Sequence, residues 1–201
     1  GLREKTLVIF TGDNGTYVKI ISELNGSKYP GGKGSTRDNG THVPLVASWP
    51  GTAPAGKVSD ALVDFSDILP TLAELGGAEL PPKLNYEGLS LAPLLQGKPF
   101  TGRESIYCWY HRNGLRGKES QHTRNRDFKL YATGRYFKVA EDLLEKKPLQ
   151  TASLSGGERT AYEALKTALA RELEMTRKAT AALKKRGFGG AAKKQGNNKK
   201  N

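Results

Sequence analysis

An α/β fold is predicted for this 201-residue sequence by three observations. Short apolar runs rich in β-branched residues stop at clusters of turn formers. A helical pattern with a polar cap and a glycine stop lies between such runs. A long stretch near the C-terminal end carries leucines four residues apart along one helical face.

The first run is Thr6-Leu7-Val8-Ile9-Phe10, which reads as a buried strand of a parallel or mixed sheet and stops at Thr11-Gly12-Asp13-Asn14-Gly15. Residues 24 to 42 hold Gly26, Gly31, Gly32, Gly34 and Gly40 with almost no large apolar side chain, so they read as a long loop of the kind that carries function. Val43 to Trp49 reads as a second strand, closed by Pro50-Gly51. From Ser66 the pattern turns helical: Ser66 or Asp67 caps, Pro70 sits in the first turn, and Gly76-Gly77 ends it. Ser90 to Leu95 is a short apolar piece ending at Gly97, and Ile106 to Tyr110 reads as a strand. Phe128–Ala132 and Tyr136–Val139 flank Thr133-Gly134-Arg135 as a β-hairpin. Ser155 and Glu158 have capping-box spacing, and the helix after them runs to about Lys185 with Leu165, Leu169 and Leu173 on one face. There are no internal repeats.

Composition narrows the function classes. No run of 18 or more apolar residues is present, so no transmembrane helix is expected. No signal peptide opens the chain, and a start at Gly1 rather than Met suggests a cut or processed end, so export is left open. The single cysteine, Cys108, excludes an internal disulfide. The net charge of +12 is uneven: no acidic residue follows Glu174, while Arg177, Lys178, Lys184, Lys185, Arg186, Lys193, Lys194, Lys199 and Lys200 do, and without those nine the rest carries only +3. Beyond Gly187 the Gly, Ala, Lys, Gln and Asn composition cannot bury enough apolar area to order itself, so 187–201 is expected to be a disordered basic tail. Such a tail is a solvated segment or a salt-sensitive contact for polyanions. No nucleic-acid-binding signature accompanies it, and nucleic acid is not expected as a partner.

Two short stretches carry candidate chemistry. Asp13 and Asn14 directly follow a strand, where open α/β sheets bind ligands, and an adjacent carboxylate and amide oxygen suit a hard cation such as Ca²⁺ or Mg²⁺. The competing reading is an ordinary Asp-Asn-Gly turn. Lys33 lies among glycines in Gly31-Gly32-Lys33-Gly34-Ser35-Thr36, a setting that lets backbone approach an oxyanion beside a point charge, or that leaves a solvated loop lysine. The spacing is not that of a P-loop.

The order of these stretches adds a resemblance. A strand ending in Thr-Gly-Asp-Asn-Gly, then Gly-Gly-Lys-Gly-Ser-Thr-Arg-Asp-Asn-Gly-Thr-His-Val-Pro and Trp-Pro-Gly, is similar to the type I sulfatases of the alkaline-phosphatase superfamily. Their pattern is (S/T)-x-D-N-G, G-x-K-x-(S/T)-x-(E/D)-x-G-x-(R/H)-V-P and W-P-G. The likeness continues through Asp67-Ile68-Leu69-Pro70-Thr71-Leu72 and Glu87 to Gly97, and fades at Arg126-Asp127-Phe128-Lys129-Leu130. The resemblance implies that the chain is the C-terminal portion of a sulfuric ester hydrolase. Residues 1–100 would end a mixed sheet with flanking helices, and 101–186 would form a small antiparallel sheet packed with a C-terminal helix.

It also implies roles. Asp13 and Asn14 would complete a divalent cation site, usually Ca²⁺ with Mg²⁺ as the alternative. Lys33 would contact the sulfate as the catalytic and substrate-binding residue. His42 stands where the family often has Arg, and is a substrate-side or packing residue that orients the Lys33 loop. The substrate would be a sulfated small molecule or a sulfated polysaccharide, and the family's usual setting is periplasmic or secreted. The family's nucleophile is a formylglycine made from C/S-x-P/A-x-R, expected upstream of this chain, so the chain alone is expected to be inactive. Cys108 and Arg112 have that motif's separation, but Tyr110 stands at the Pro/Ala place and the position follows the metal strand, so Cys108 reads as a core residue. His111 and His122 flank a polar stretch, 111–126, with Arg112, Arg116, Lys118, Arg124 and Arg126, which reads as a solvated or polyanion-contacting loop. Two other functions stay open: a non-catalytic binder of sulfated polyanions, and a phosphatase or phosphonate hydrolase of the same superfamily.

Overall fold

In a computed structural model of the chain, residues 1–111 and 119–185 are described. The α/β class holds. The best-packed unit is a four-stranded antiparallel sheet in the order β5 (Ile106–Tyr110), β6 (Ser120–Arg124), β7 (Phe128–Tyr131), β8 (Tyr136–Lys138), crossed by the long helix α4 (Gly156–Lys185). Strand side chains alternate between faces, and here both faces are used. Phe128, Leu130 and Tyr136 point to α4, where they form a core with Leu154, Leu165 and Leu169. Tyr107 and Leu173 pack against its edge. Lys129, Tyr131 and Phe137, one residue out of phase, point to the other face. The register Leu130↔Tyr136 and Lys129↔Phe137 keeps the two sets apart.

Before that sheet the chain forms smaller pieces. β1 (Val8–Thr11) pairs antiparallel with β4 (Leu45–Ser48), and β2 (Ile21–Leu24) with β3 (Ser27–Pro30). Two short helices and one longer one follow the same path: α1 (Asp38–Thr41), α2 (Ile68–Leu75) and α3 (Ala92–Leu95). The first run is not buried as expected. Val8 is 49% and Phe10 65% exposed, and the β1–β4 ribbon pairs with no further strand among the described residues.

The stretch 24–42 is not a plain loop either. Asn25 and Gly26 both take positive φ, at 52° and 73°, which gives the tight turn that joins β2 to β3. The helical region begins earlier than expected. Asp64 accepts a hydrogen bond from Ser66 N, and Asp67 accepts one from Asp64 N at 2.8 Å, so Asp64 is the cap and Asp67 its reciprocal partner. Asp67 is buried, also pairs with Arg103 and accepts from Leu89 N at 2.7 Å, so one carboxylate fixes three segments. The hairpin of β7 and β8 and the single long helix agree with the sequence reading. The expected tail, 187–201, lies outside the described residues.

Candidate functional site

The candidate site is built from the turn after β1 and the glycine-rich segment 31–42. Their backbones are tied together. Gly15 N donates to Gly40 O at 2.9 Å, and Lys33 N donates to Thr16 O at 3.0 Å. A Cβ on Gly15 would meet Asn39 O at 2.0 Å, so only glycine permits this approach. Lys33 and Gly34 form the tip of a turn closed by Ser35 N donating to Gly32 O at 2.9 Å. Gly34 takes φ 85°, as the third residue of a type II turn requires. The Lys33 side chain is therefore offered to solvent on a tight, defined turn, three residues of chain beyond which Thr36 enters the interior.

Asp13 is exposed and Asn14 half-buried at the end of β1. Their oxygens are hard donors of the kind Ca²⁺ and Mg²⁺ take. They are two donors where Ca²⁺ takes about six to eight. Among the described residues no group of three or more His, Cys, Asp or Glu side chains is placed to hold a metal ion. By themselves the two residues supply too few donors for such a cation. His42 Nδ1 lies 3.1 Å from Asp38 Oδ2, and the His42 side chain is 68% exposed. It is a surface partner of the loop's own carboxylate.

The firmest part of the site is one that sequence reasoning missed. The glycine-rich segment sits on the second face of the four-stranded sheet through a buried polar network. Thr36 O accepts from Lys129 Nζ at 2.8 Å and from Tyr131 OH at 3.2 Å. Glu145 Oε1 accepts from Lys129 Nζ at 2.7 Å and from Asp38 N at 2.9 Å, while its other oxygen accepts from Tyr131 OH. Asp38 in turn pairs with Arg124 of β6. Thr36 Oγ1 and Ser120 Oγ lie 2.8 Å apart. Burial alone would raise the Asp38 carboxyl, but the His42 hydrogen bond and the charges of Arg124, His42 and Lys129 outweigh it and hold it below the usual carboxylate range. Burial lowers Lys129, against the Glu145 carboxylate beside it, and burial together with Glu145 raises Tyr131. Glu145 itself takes φ 52°, a conformation that costs a non-glycine residue energy and that its three hydrogen-bond donors offset.

This network corrects the reading of 111–126. Arg124 and His122 belong to β6, not to a solvated loop. His122 is 1% exposed, and burial with the nearby Lys129 and Arg124 charges pushes its imidazole well below its usual range. Arg126 does stay on the surface, 3.7 Å from Asp60. Arg112, Arg116 and Lys118 lie outside the described residues. Cys108 is half-buried in β5 opposite His122, and burial pushes its thiol up. That agrees with a packing residue and not an activated nucleophile. The signal for the network was present in Phe128-Lys129-Leu130-Tyr131: with Phe and Leu on one face, Lys and Tyr must share the other.

The chain is similar to known sulfatases in sequence and in fold. The family model described as Sulfatase matches residues 1–78. The chain is similar to arylsulfatase G of Mus musculus, 39% identical over 117 residues that cover 52% of this chain and 22% of that protein. It is similar to arylsulfatase A of Homo sapiens, 43% identical over 110 residues that cover 54% of this chain and 21% of that one. The chain thus spans about a fifth of the length of these curated relatives. A structure solved in complex with its substrate, D-glucosamine-2-N,6-O-disulfate, shares the fold at TM-score 0.61 and 23% identity, covering 87% of this chain and 34% of that one.

Proposed function

The chain carries a type I sulfatase region, and from that premise we propose that it serves the hydrolysis of sulfuric esters within a complete enzyme. In this reading Lys33 contacts the sulfate, Asp13 and Asn14 hold part of a divalent cation, Ca²⁺ or Mg²⁺, and His42 orients the loop through Asp38. The observation that carries the reading is the backbone pairing of the two loops, Gly15 with Gly40 and Lys33 with Thr16. It couples the carboxylate–amide pair to the lysine through a rigid backbone and not through mobile side chains.

The chemistry suits these groups. Hydrolysis breaks the sulfur–oxygen bond of the ester, so negative charge builds on the leaving oxygen and spreads over the sulfuryl oxygens. A lysine ammonium on a preorganised turn stabilises that charge without having to reorganise during the reaction. A divalent cation held in part by Asp13 and Asn14 would add Lewis-acid polarisation of a sulfuryl oxygen. By the resemblance to sulfatases the attacking group would be a formylglycine supplied by the rest of the enzyme, and Cys108 plays no part in it as a half-buried strand residue. The 201-residue chain alone is therefore inactive in this reading. The substrate is a sulfated small molecule or a sulfated polysaccharide, in keeping with the arylsulfatases it resembles and with the sulfated sugar bound by the structural neighbour.

The test is steady-state hydrolysis of an aryl sulfate by the full-length enzyme and its Lys33→Ala and Asp13→Ala forms. Each is expected to lower kcat by about a hundred- to a thousandfold, the scale of removing one preorganised charge-stabilising group. Lys33 is exposed, so its variant keeps the fold. Wild-type kcat/KM in the Lys33→Ala enzyme would remove lysine from the mechanism.

A further inference from the structure

A cleft of about 330 Å³ opens between the glycine-rich segment and the second face of the four-stranded sheet. Gly34, Ser35, Thr36 and Arg37 form one wall, immediately after Lys33. Tyr110, Ser120 and Arg135 contribute to the other, and Glu145 lies at its floor. Two arginines therefore flank it. Arg135 is held in place by stacking, its guanidinium 5.0 Å from the Tyr131 ring centre and 5.8 Å from that of Phe137. Arg37 projects from the chain between Thr36 and Asp38, both of which are buried and anchored. Both arginines are exposed, and among the described residues neither forms an ion pair.

The other charges nearby are already matched. The Glu145 carboxylate at the floor receives Lys129, Tyr131 and the Asp38 amide. Asp38 itself is paired with Arg124. The cleft thus presents two unmatched guanidinium groups above a network whose negative charges are offset, with the Tyr110 and Ser120 hydroxyls on its wall. Guanidinium groups favour planar, forked recognition of oxyanions. Lys33 and Arg37 are four residues apart, so their Cα atoms are at most about 14 Å from each other even if the chain were extended. One small ligand can reach both.

We propose that this cleft is a second anion subsite, in which Arg37 and Arg135 bind a further sulfate or carboxylate of a substrate whose scissile sulfate lies at Lys33. The inference rests on the role proposed for Lys33 and deepens it: the preferred substrate becomes a polyanionic sulfated saccharide, bound more tightly than a singly charged aryl or alkyl sulfate.

The experiment is an equilibrium titration of the 201-residue chain, followed by NMR or calorimetry, with three probes. These are glucosamine carrying 2-N and 6-O sulfates, glucosamine 6-sulfate, and a monosulfated disaccharide containing a uronate. The disulfated sugar is expected to bind about tenfold or more tighter than the monosulfated one, in line with two charge-assisted contacts at an exposed site. The double variant Arg37→Gln/Arg135→Gln should abolish that difference and leave glucosamine 6-sulfate binding unchanged. Both positions are exposed, and a circular dichroism melt identical to wild type verifies that the variant folds. Tight binding of the uronate disaccharide would assign the subsite to anions in general, and its failure to gain would assign it to sulfate. Lys33→Ala should weaken all three probes while keeping the arginine-dependent increment. If Lys33→Ala changes nothing and the arginine increment persists, the Lys33 reading falls and the subsite stands. Equal affinity of the wild-type chain for mono- and disulfated sugar, absence of binding, or wild-type affinity in the double variant would overturn the subsite.

Discussion

β7 and β4 are both four residues long, and only one of them is buried. Phe128-Lys129-Leu130-Tyr131 is covered throughout, by α4 on one face and by the glycine-rich segment on the other. Leu45-Val46-Ala47-Ser48 is largely exposed, and its partner Val8-Ile9-Phe10-Thr11 is exposed at Val8 and Phe10 with no residue fully buried. The difference teaches that apolar character selects a strand, while its stability comes from what lies over it. The C-terminal region closes a core of its own around Tyr136 and Leu165, 0% and 2% exposed. A two-stranded ribbon such as β1–β4 has too little buried area to be stable independently. What ties the glycine-rich segment to the sheet is polar: the contacts of Lys129, Tyr131, Glu145 and Arg124 with Thr36 and Asp38.

The comparison breaks most sharply at Glu145. Glu145→Ala would leave Lys129 buried with one acceptor, Thr36 O, and would strip the Asp38 amide of its partner. Removing one member of a buried ion pair costs about 3–5 kcal/mol. Urea unfolding should report that loss, and amide exchange should accelerate across residues 31–42 more than in α4. A loss below about 1 kcal/mol with unchanged exchange would mean that the two regions are joined in some other way.

Next in size is the core itself. Leu165 sits among Phe128, Leu130, Tyr136 and Leu169, so Leu165→Ala should cost about 2–5 kcal/mol through lost burial and the cavity left behind. The matching change in the ribbon, Val46→Ala at a side chain in a residue 56% exposed, should stay within about 0.5 kcal/mol. The pair of values, from denaturant midpoints of the same chain, measures the contrast between the regions directly.

Legibility followed the same division. The hairpin of β7 and β8, the strand at 106–110 and the α4 face of Leu165, Leu169 and Leu173 could be read from local pattern, because each depends on near neighbours in sequence. The turn at Asn25-Gly26 was readable too, since Asn-Gly between two extended stretches is a hairpin signal, but the surrounding glycines masked it. Burial of β1 could not be read: a strand's pattern tells which side chains seek cover and not whether cover is present. The network around Glu145 was hidden for a different reason. Its members, Thr36, Asp38, Arg124, Lys129, Tyr131 and Glu145, come from segments up to 109 residues apart. Each alone reads as a surface polar residue. Only the two-residue alternation of β7 hinted that Lys129 must be buried. The candidate residues Asp13, Asn14 and Lys33 were visible because short motifs carry them, and the structure adds the backbone contacts between their loops.

His122 sharpens the comparison through pH. Its imidazole is buried beside Tyr131, with ring centres 5.2 Å apart, and is held neutral by burial and by the Lys129 and Arg124 charges. Its folded pKa is thus well below the unfolded value of about 6.5. As pH falls through 6.5 the unfolded chain takes up a proton that the folded chain refuses, so stability declines by up to about 1.4 kcal/mol per pH unit until the folded pKa is reached. Asp38, whose folded pKa is lowered, contributes stability above its unfolded pKa that is lost in more acid solution. Melts between pH 7 and 5 should show the first slope in the wild type, and His122→Gln should flatten it. A slope unchanged by that substitution would assign it to other groups.

The smallest expected stability effect lies on the ribbon. Phe10 is 65% exposed on a strand whose outer edges are unpaired among the described residues, with Val8 and Val46 beside it. Phe10→Ser removes little area that folding had buried, so the denaturant midpoint should move by the equivalent of no more than about 0.5 kcal/mol. Its effect should instead appear in association. Exposed apolar side chains on an unprotected strand edge favour pairing with another chain, and a serine weakens that pairing without touching the fold. Sedimentation velocity over a concentration series should show less self-association in the variant than in the wild type. A large drop in stability would mean that Phe10 is covered within the chain. Unchanged association would mean that the ribbon's apolar face is not the surface through which copies meet.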